Sequence, residues 1–303
     1  MSQTPYTTQG PSLERRAFFA LMLAGTAMGV SPILIRLADV SAMASGFWRL
    51  AIALPIVAVM LPEPKRAPPS SADPRRDMLL LTFAGLMFAV DIVCWHAAIA
   101  LTTVADATLL SNGAPIFVTA AAFVFLGERI SRRFAMGLAL AIAGSVALVV
   151  TRAKGVHGPV DRLAGDLFAV GAAMSYAAYL LILRSLRQRI TTRRIIVHTT
   201  AISALAMLPV ALFAPGAFLP GSLAGWATVI ALAAICHAGG QGLLTFALAH
   251  LPASYSSTTQ LIAAVVAALA AWALLGEPIG LLTFLCGVAI MTGLWICHSA
   301  PRG

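Results

Sequence analysis

The sequence predicts an all-α membrane protein in which ten transmembrane helices form two inverted five-helix repeats around a central cavity. Three observations carry this: composition, the segmentation of apolar runs, and an internal repeat. Of the 303 residues, 60% are hydrophobic and 10% charged, against about 45–50% apolar and about 25% charged in a soluble domain. Mean hydropathy is +0.91. A hydrocarbon core of about 30 Å takes about 20 apolar residues per helix, so ten spans consume most of the chain and exclude a large soluble domain.

Apolar runs between charged or Pro/Gly-rich breaks place helices near 17–37, 41–61, 78–101, 103–126, 131–150, 163–184, 194–214, 222–249, 253–275 and 278–298. Arg15-Arg16 before the first run and Ala42-Met43-Ala44 after it mimic a cleavable export signal. The run is longer than the roughly 7–15 residues of a signal core, so it is read as the first span. Spans one and two, three and four, eight and nine, and nine and ten are joined by very few residues, which makes each pair an antiparallel hairpin. The longest connection, Pro62 to Asp77, holds five prolines and is a loop. The resulting organisation is a cytoplasmic tail (1–16), a first repeat (17–150), an external linker (151–162), a second repeat (163–298) and a cytoplasmic tail (299–303).

A net charge of +9 raises the question of nucleic acid, and the position of the basic residues answers it. With both termini cytoplasmic, 15 of the 20 Lys and Arg fall in inner segments, 4 in outer ones, and Arg49 lies within a span. Basic residues are retained on the cytoplasmic side, so the charge reads as a topology signal of a multi-pass inner-membrane protein and no nucleic-acid partner is expected. Cys94, Cys236, Cys286 and Cys297 all lie in apolar runs without C-x-x-C spacing, so they read as core residues; neither disulfide nor metal is expected.

The stretch from Ala98 through Gly127-Glu128 to Gly144 aligns without a gap on Ala247 through Gly276-Glu277 to Gly293, at a constant offset of 149. A looser match joins Gly25 to Met28 with Gly171 to Met174, and Gly29 and Ser175 complete small-x-x-x-small spacings that let membrane helices approach closely. Five helices per half is an odd number, so the halves enter the membrane from opposite sides. Inverted repeats of this kind are typical of secondary transporters, with the substrate site near the midplane between the halves.

The run Asp91-Ile92-Val93-Cys94-Trp95-His96-Ala97-Ala98, then Ala105-Asp106-Ala107, Pro115, Gly127-Glu128 and Gly144, resembles the EamA-type domain of the drug/metabolite transporter superfamily. Pro252-Ala253-Ser254, Gly276-Glu277 and Gly293 form its second copy, and Phe47-Trp48-Arg49 is similar to its aromatic-Arg signature. The resemblance covers nearly the whole chain and implies a ten-helix permease. It also implies export of metabolites, with the amino acid exporter branch as the expectation. Two positions depart from the pattern: Asp91 stands where many relatives carry an amide or small polar residue, and Ala264 replaces the counterpart of Pro115.

Polar groups within spans are functional candidates because they are costly there. Asp91, with Phe88 and Trp95 on its face, is either a substrate carboxylate or the structural partner of Arg49, which lies at similar depth. Ser111 and Asn112 precede Pro115, whose missing amide hydrogen frees the Ser111 carbonyl. Gln260 is the repeat counterpart of Ser111. His237 and Gln241 lie one turn apart among glycines in span eight, and Tyr176 and Tyr179 share a face of span six. Arg49, Pro115, Glu128 and Glu277 are expected to have structural or gating roles. Proton coupling would need a titrating group at depth, and Asp91 and His237 are the two candidates.

No H-E-x-x-H, G-x-S-x-G or Walker loop occurs. The expected function is therefore cofactor-free export of small metabolites, amino acids foremost, by alternating access, and not enzymatic catalysis. An exporter of hydrophobic drugs or cations is the alternative, and an intramembrane enzyme or receptor a distant one.

Overall fold

The computed structural model describes residues 11–61, 73–101, 110–111, 113–152, 162–275 and 280–300. The regular elements among them are all helical. Span one comprises α1 (Pro11–Gly29) and α2 (Ser31–Leu37), followed by α3 (Ala42–Met60), α4 (Pro74–Leu101), α5 (Ala114–Leu126) and α6 (Arg132–Arg152) as spans two to five. In the second half, α7 (Arg162–Leu186) and α8 (Thr192–Phe213) are spans six and seven. Span eight is α9 (Leu223–Ala231), a π-helix (Leu232–Gln241) and α10 (Gly242–Ala247); span nine is α11 (Ala253–Thr259) and α12 (Ile262–Leu275); span ten is α13 (Leu281–Ser299). Seven described stretches are long and apolar enough to cross a membrane unaided. Val59, Phe125, Phe213 and Leu223 are each at least 80% exposed, a surface suited to lipid.

Several expected spans are interrupted, each for a local reason. Pro32 has no amide hydrogen to donate, and span one restarts after Gly29 with the Ile33 and Leu34 amides both bonded to the Val30 carbonyl. Span four reorganises at Gly113, whose amide bonds to the Leu110 carbonyl, and Pro115 lies in the first turn of α5. Span nine breaks at the repeat-equivalent depth although Ala264 stands where the first half has Pro115. There Ser256, Ser257, Thr258 and Thr259 each turn their hydroxyls onto carbonyls three or four residues back. Such back-bonding bends helices. The Gln260 and Leu261 amides then bond three residues back, to Ser257 and Thr258.

The helix pairing has the pattern of a twofold axis. Span five packs on ten (α6 on α13), two on seven (α3 on α8) and four on nine (α5 on α11). Other pairs occur as repeat-related couples: one with eight and six with three, one with nine and six with four, two with eight and seven with three. The second half is thus the first half inverted, as its odd helix number requires.

Glycines set the closest approaches between the halves. A Cβ on Gly293 would lie 2.5 Å from the Ala141 nitrogen and 2.6 Å from the Gly137 carbonyl, and one on Gly137 would lie 2.7 Å from the Gly293 carbonyl. Gly29 similarly presses its backbone on span nine, where a Cβ would stand 2.8 Å from the Ala263 carbonyl. Gly242, by contrast, has nothing within 4 Å of its Cβ position and a helical φ of −61°. Gly293→Leu should therefore force α6 and α13 apart and destabilise the protein by about 1–3 kcal/mol or more. Gly242→Ala should be neutral or gain up to about 1 kcal/mol from helix propensity. Thermal unfolding of the two purified variants in detergent checks this, and equal midpoints would contradict the glycine contact.

Candidate functional site

The interruptions of spans one, four, eight and nine converge on a cavity of about 240 Å3. Of the residues expected from the sequence, Arg49 on α3, Asp91 and Trp95 on α4, Ser111, Tyr176 on α7, Gln241 in the π-helix and Gln260 line it. Ser31 and Pro32 from the kink in span one, together with Met28, Phe88, Ile92, His96 and Cys236, complete the wall. A smaller chamber of about 160 Å3 adjoins it and shares Ser111, Tyr176 and Gln260; Pro115 lines this second space. Asn112 and Glu277 lie outside the described residues.

Opposite charges face the same cavity without cancelling directly. Among the described residues, Arg49 and Asp91 form no ion pair within 4 Å, unlike Arg189 and Asp77 at 2.7 Å. The Arg49 guanidinium instead lies over the Phe88 ring, 5.9 Å from its centroid, within cation–π range. Four polar atoms of the wall, Arg49 Nε, His96 Nε2, Ser111 Oγ and Gln241 Oε1, are buried without a hydrogen-bond partner. Each such atom costs about 1–3 kcal/mol if left bare, so the wall favours occupation by water or a polar ligand. Across the cavity, Gln260 Nε2 donates to the Tyr176 hydroxyl at 2.6 Å.

His237 and Tyr179 are drawn back from the wall. The His237 ring hydrogen-bonds Thr200 Oγ1 at 2.7 Å and is 2% exposed. Tyr179, 1% exposed, stacks on Phe88 with centroids 4.9 Å apart. Both His237 and Gln241 lie in the π-helix, yet only Gln241 lines the cavity, the His237 ring being turned to Thr200. His96, directly after Trp95 and not among the residues expected from the sequence, also lines the cavity. Its Nδ1 lies 2.6 Å from the Ile92 carbonyl, leaving Nε2 for the cavity. An imidazole in an apolar run was a signal as good as His237. Ser31-Pro32 in the first run was the same kind of signal as Pro115 in the fourth.

At the arginine-rich end of the bundle, hydrogen bonds tie span nine to its neighbours. Pro252 offers α11 no side-chain cap, and Glu128 reaches across from the first half to supply one. Its carboxylate accepts from the Ala253 amide at 2.8 Å, the Ser254 amide at 3.3 Å and the Ser254 hydroxyl. All seven residues of α11 are buried. Tyr255 donates to the Ala300 carbonyl at 3.2 Å, and Thr259 Oγ1 lies 2.8 Å from His298 Nε2. Arg184 donates to the Leu248 carbonyl at 2.7 Å and Arg187 to that of Thr245 at 3.1 Å. Burial, with Arg187 and Arg184 alongside, holds the neighbouring His250 below the usual imidazole range. No group of three or more metal-ligating side chains occurs among the described residues.

Comparison with known proteins agrees with this architecture. A crystal structure superposes with a TM-score of 0.71 at 17% identity, covering 94% of this chain and 97% of that one, which establishes the fold. The chain is similar to the pseudopaline exporter CntI of Pseudomonas aeruginosa, 28% identical over 76% of this chain and 78% of the relative. It is also similar to the uncharacterized transporter YetK of Bacillus subtilis, 24% identical over 71% of this chain and 65% of that protein. The model of the EamA-like transporter family matches twice, at residues 15–150 and 163–298, once for each five-helix half. With both halves matched, the chain belongs to the EamA-like transporter family.

Proposed function

We propose that this protein exports small zwitterionic metabolites, amino acids foremost, across the inner membrane by alternating access. The observation that carries the proposal is the shared wall of Asp91 and Arg49: two opposite charges on one cavity, with no ion pair within 4 Å between them. A zwitterion satisfies both, its ammonium at Asp91 and its carboxylate at Arg49, while Ser111, His96 and Gln241 supply the unpartnered polar atoms. Trp95 and Tyr176 give aromatic surface to the remainder. Likeness to a pseudopaline exporter supports export of a small metabolite. A drug or simple cation is less well served, because Arg49 faces the cargo.

In this reading the arginine-rich end is cytoplasmic, by the retention of basic residues. The described conformation is then closed on the cytoplasmic side, with the Glu128 cap on α11 as its latch. Release of that cap while span four closes at the other end would expose the cavity inward, a rocking of one repeat against the other. Asp91 is the group through which a proton would be coupled.

Charge-assisted hydrogen bonds contribute about 1.5–3 kcal/mol, so Asp91→Asn and Arg49→Gln should each lower amino acid flux in proteoliposomes by about ten- to a hundredfold. Flux equal to wild type in both variants would remove the zwitterion assignment. The latch is tested separately. Ser256 is fully buried in α11. In a variant lacking the four native cysteines, Ser256→Cys should react with a water-soluble thiol reagent several-fold faster once Glu128→Ala is added. An unchanged labelling rate would mean that Glu128 does not hold the closed end.

A further inference from the structure

The second chamber has a chemistry of its own. It lies toward the arginine-rich end from the main cavity, between the first turn of α5 and the broken middle of span nine. Its wall holds hydroxyl and amide groups of Ser111, Tyr176, Ser257 and Gln260 together with apolar Pro115 and Ala263 and, among the described residues, no ionisable acid or base apart from the tyrosine. The main cavity by contrast carries Arg49, Asp91 and His96. Ser111, Tyr176 and Gln260 belong to both walls, so the 2.6 Å hydrogen bond from Gln260 to Tyr176 stands at the partition between the spaces. That bond is a neutral amide–hydroxyl contact, which a ligand can displace at modest cost. Ser111 Oγ, buried and unpartnered, lies at the same partition.

We propose that the inner chamber is a side-chain subsite for a neutral amino acid. This inference rests on the zwitterion reading above and names the substrate class within it. With the ammonium and carboxylate at Asp91 and Arg49, an uncharged side chain of several heavy atoms passes the Tyr176–Gln260 contact and fills the inner space. A charged side chain would have to shed its water without finding an opposite charge there, which disfavours it. A methyl side chain does not reach the inner space and gains nothing from it. Adding the 160 Å3 chamber to the main cavity lengthens the site without adding charge among the described residues.

The test uses the purified full-length protein in lipid nanodiscs and measures binding of L-alanine, L-methionine and L-lysine. Methionine should bind at least tenfold more tightly than alanine or lysine. Ala263→Leu places a larger side chain in the chamber and should cut methionine affinity at least tenfold while leaving alanine within about twofold. Ala114→Val fills the same space from α5 and should act in the same direction, which keeps the test available if the first variant does not fold. Equal methionine and alanine affinities in the wild type, or equal losses of both in either filled variant, overturn the subsite. No binding of any of the three overturns the zwitterion reading itself, and the subsite with it.

Discussion

A backbone crossing a bilayer must satisfy its own amides and carbonyls, because lipid offers none. The rest of this structure depends on that constraint. It makes every crossing helical, and it allows a helix to break only where protein or a wetted cavity covers the freed groups. The breaks at Gly113 and at Gln260–Leu261 are therefore informative by their location. They lie at matching positions of the two repeats, and both face the space lined by Ser111, Tyr176 and Gln260. Local sequence supplies the means, proline in one half and a run of back-bonding hydroxyls in the other. Inverted symmetry supplies the coincidence of place.

The same symmetry divides the labour among helices. Spans five and ten meet through glycines so closely that backbone touches backbone, an arrangement suited to a fixed pair. Spans four and nine, broken and polar at mid-depth, are held at the arginine-rich end by side chains instead: Glu128 on α11, Tyr255 on Ala300 and Thr259 on His298. A latch of a few hydrogen bonds can be released, whereas a backbone contact cannot without separating the helices. The Ser256, Thr258 and Thr259 hydroxyls of the buried α11 are bonded to carbonyls of the same segment, so they are buried without being left unpaired.

Much of the fold was legible from sequence because it follows from bulk properties. Apolar run length gave the ten spans, and the offset of 149 gave the two halves. Breaks are legible only where proline announces them: Pro115 marks one, whereas the break at Gln260–Leu261 follows from hydroxyls alone. The expected residues that line the cavity, Asp91, Trp95, Ser111, Tyr176, Gln241 and Gln260, are polar or aromatic groups on apolar helices or near a proline. His237 lies off the cavity wall because its ring bonds Thr200, a partner 37 positions away that only the folded chain brings to it. Glu128 is expected from sequence to have a structural or gating role, yet its partner, the N-terminus of α11, lies 125 positions away and is set only by the folded chain.

The proposed function has one cavity, offered alternately to the two sides of the membrane, carrying a neutral amino acid. Counterflow in proteoliposomes tests it most directly, because only a carrier that returns loaded is accelerated by cargo on the far side. Vesicles preloaded with unlabelled L-methionine should take up external labelled L-methionine faster, and to a transient excess, compared with empty vesicles. Equal uptake by loaded and empty vesicles, at the level of protein-free liposomes, would contradict the claim.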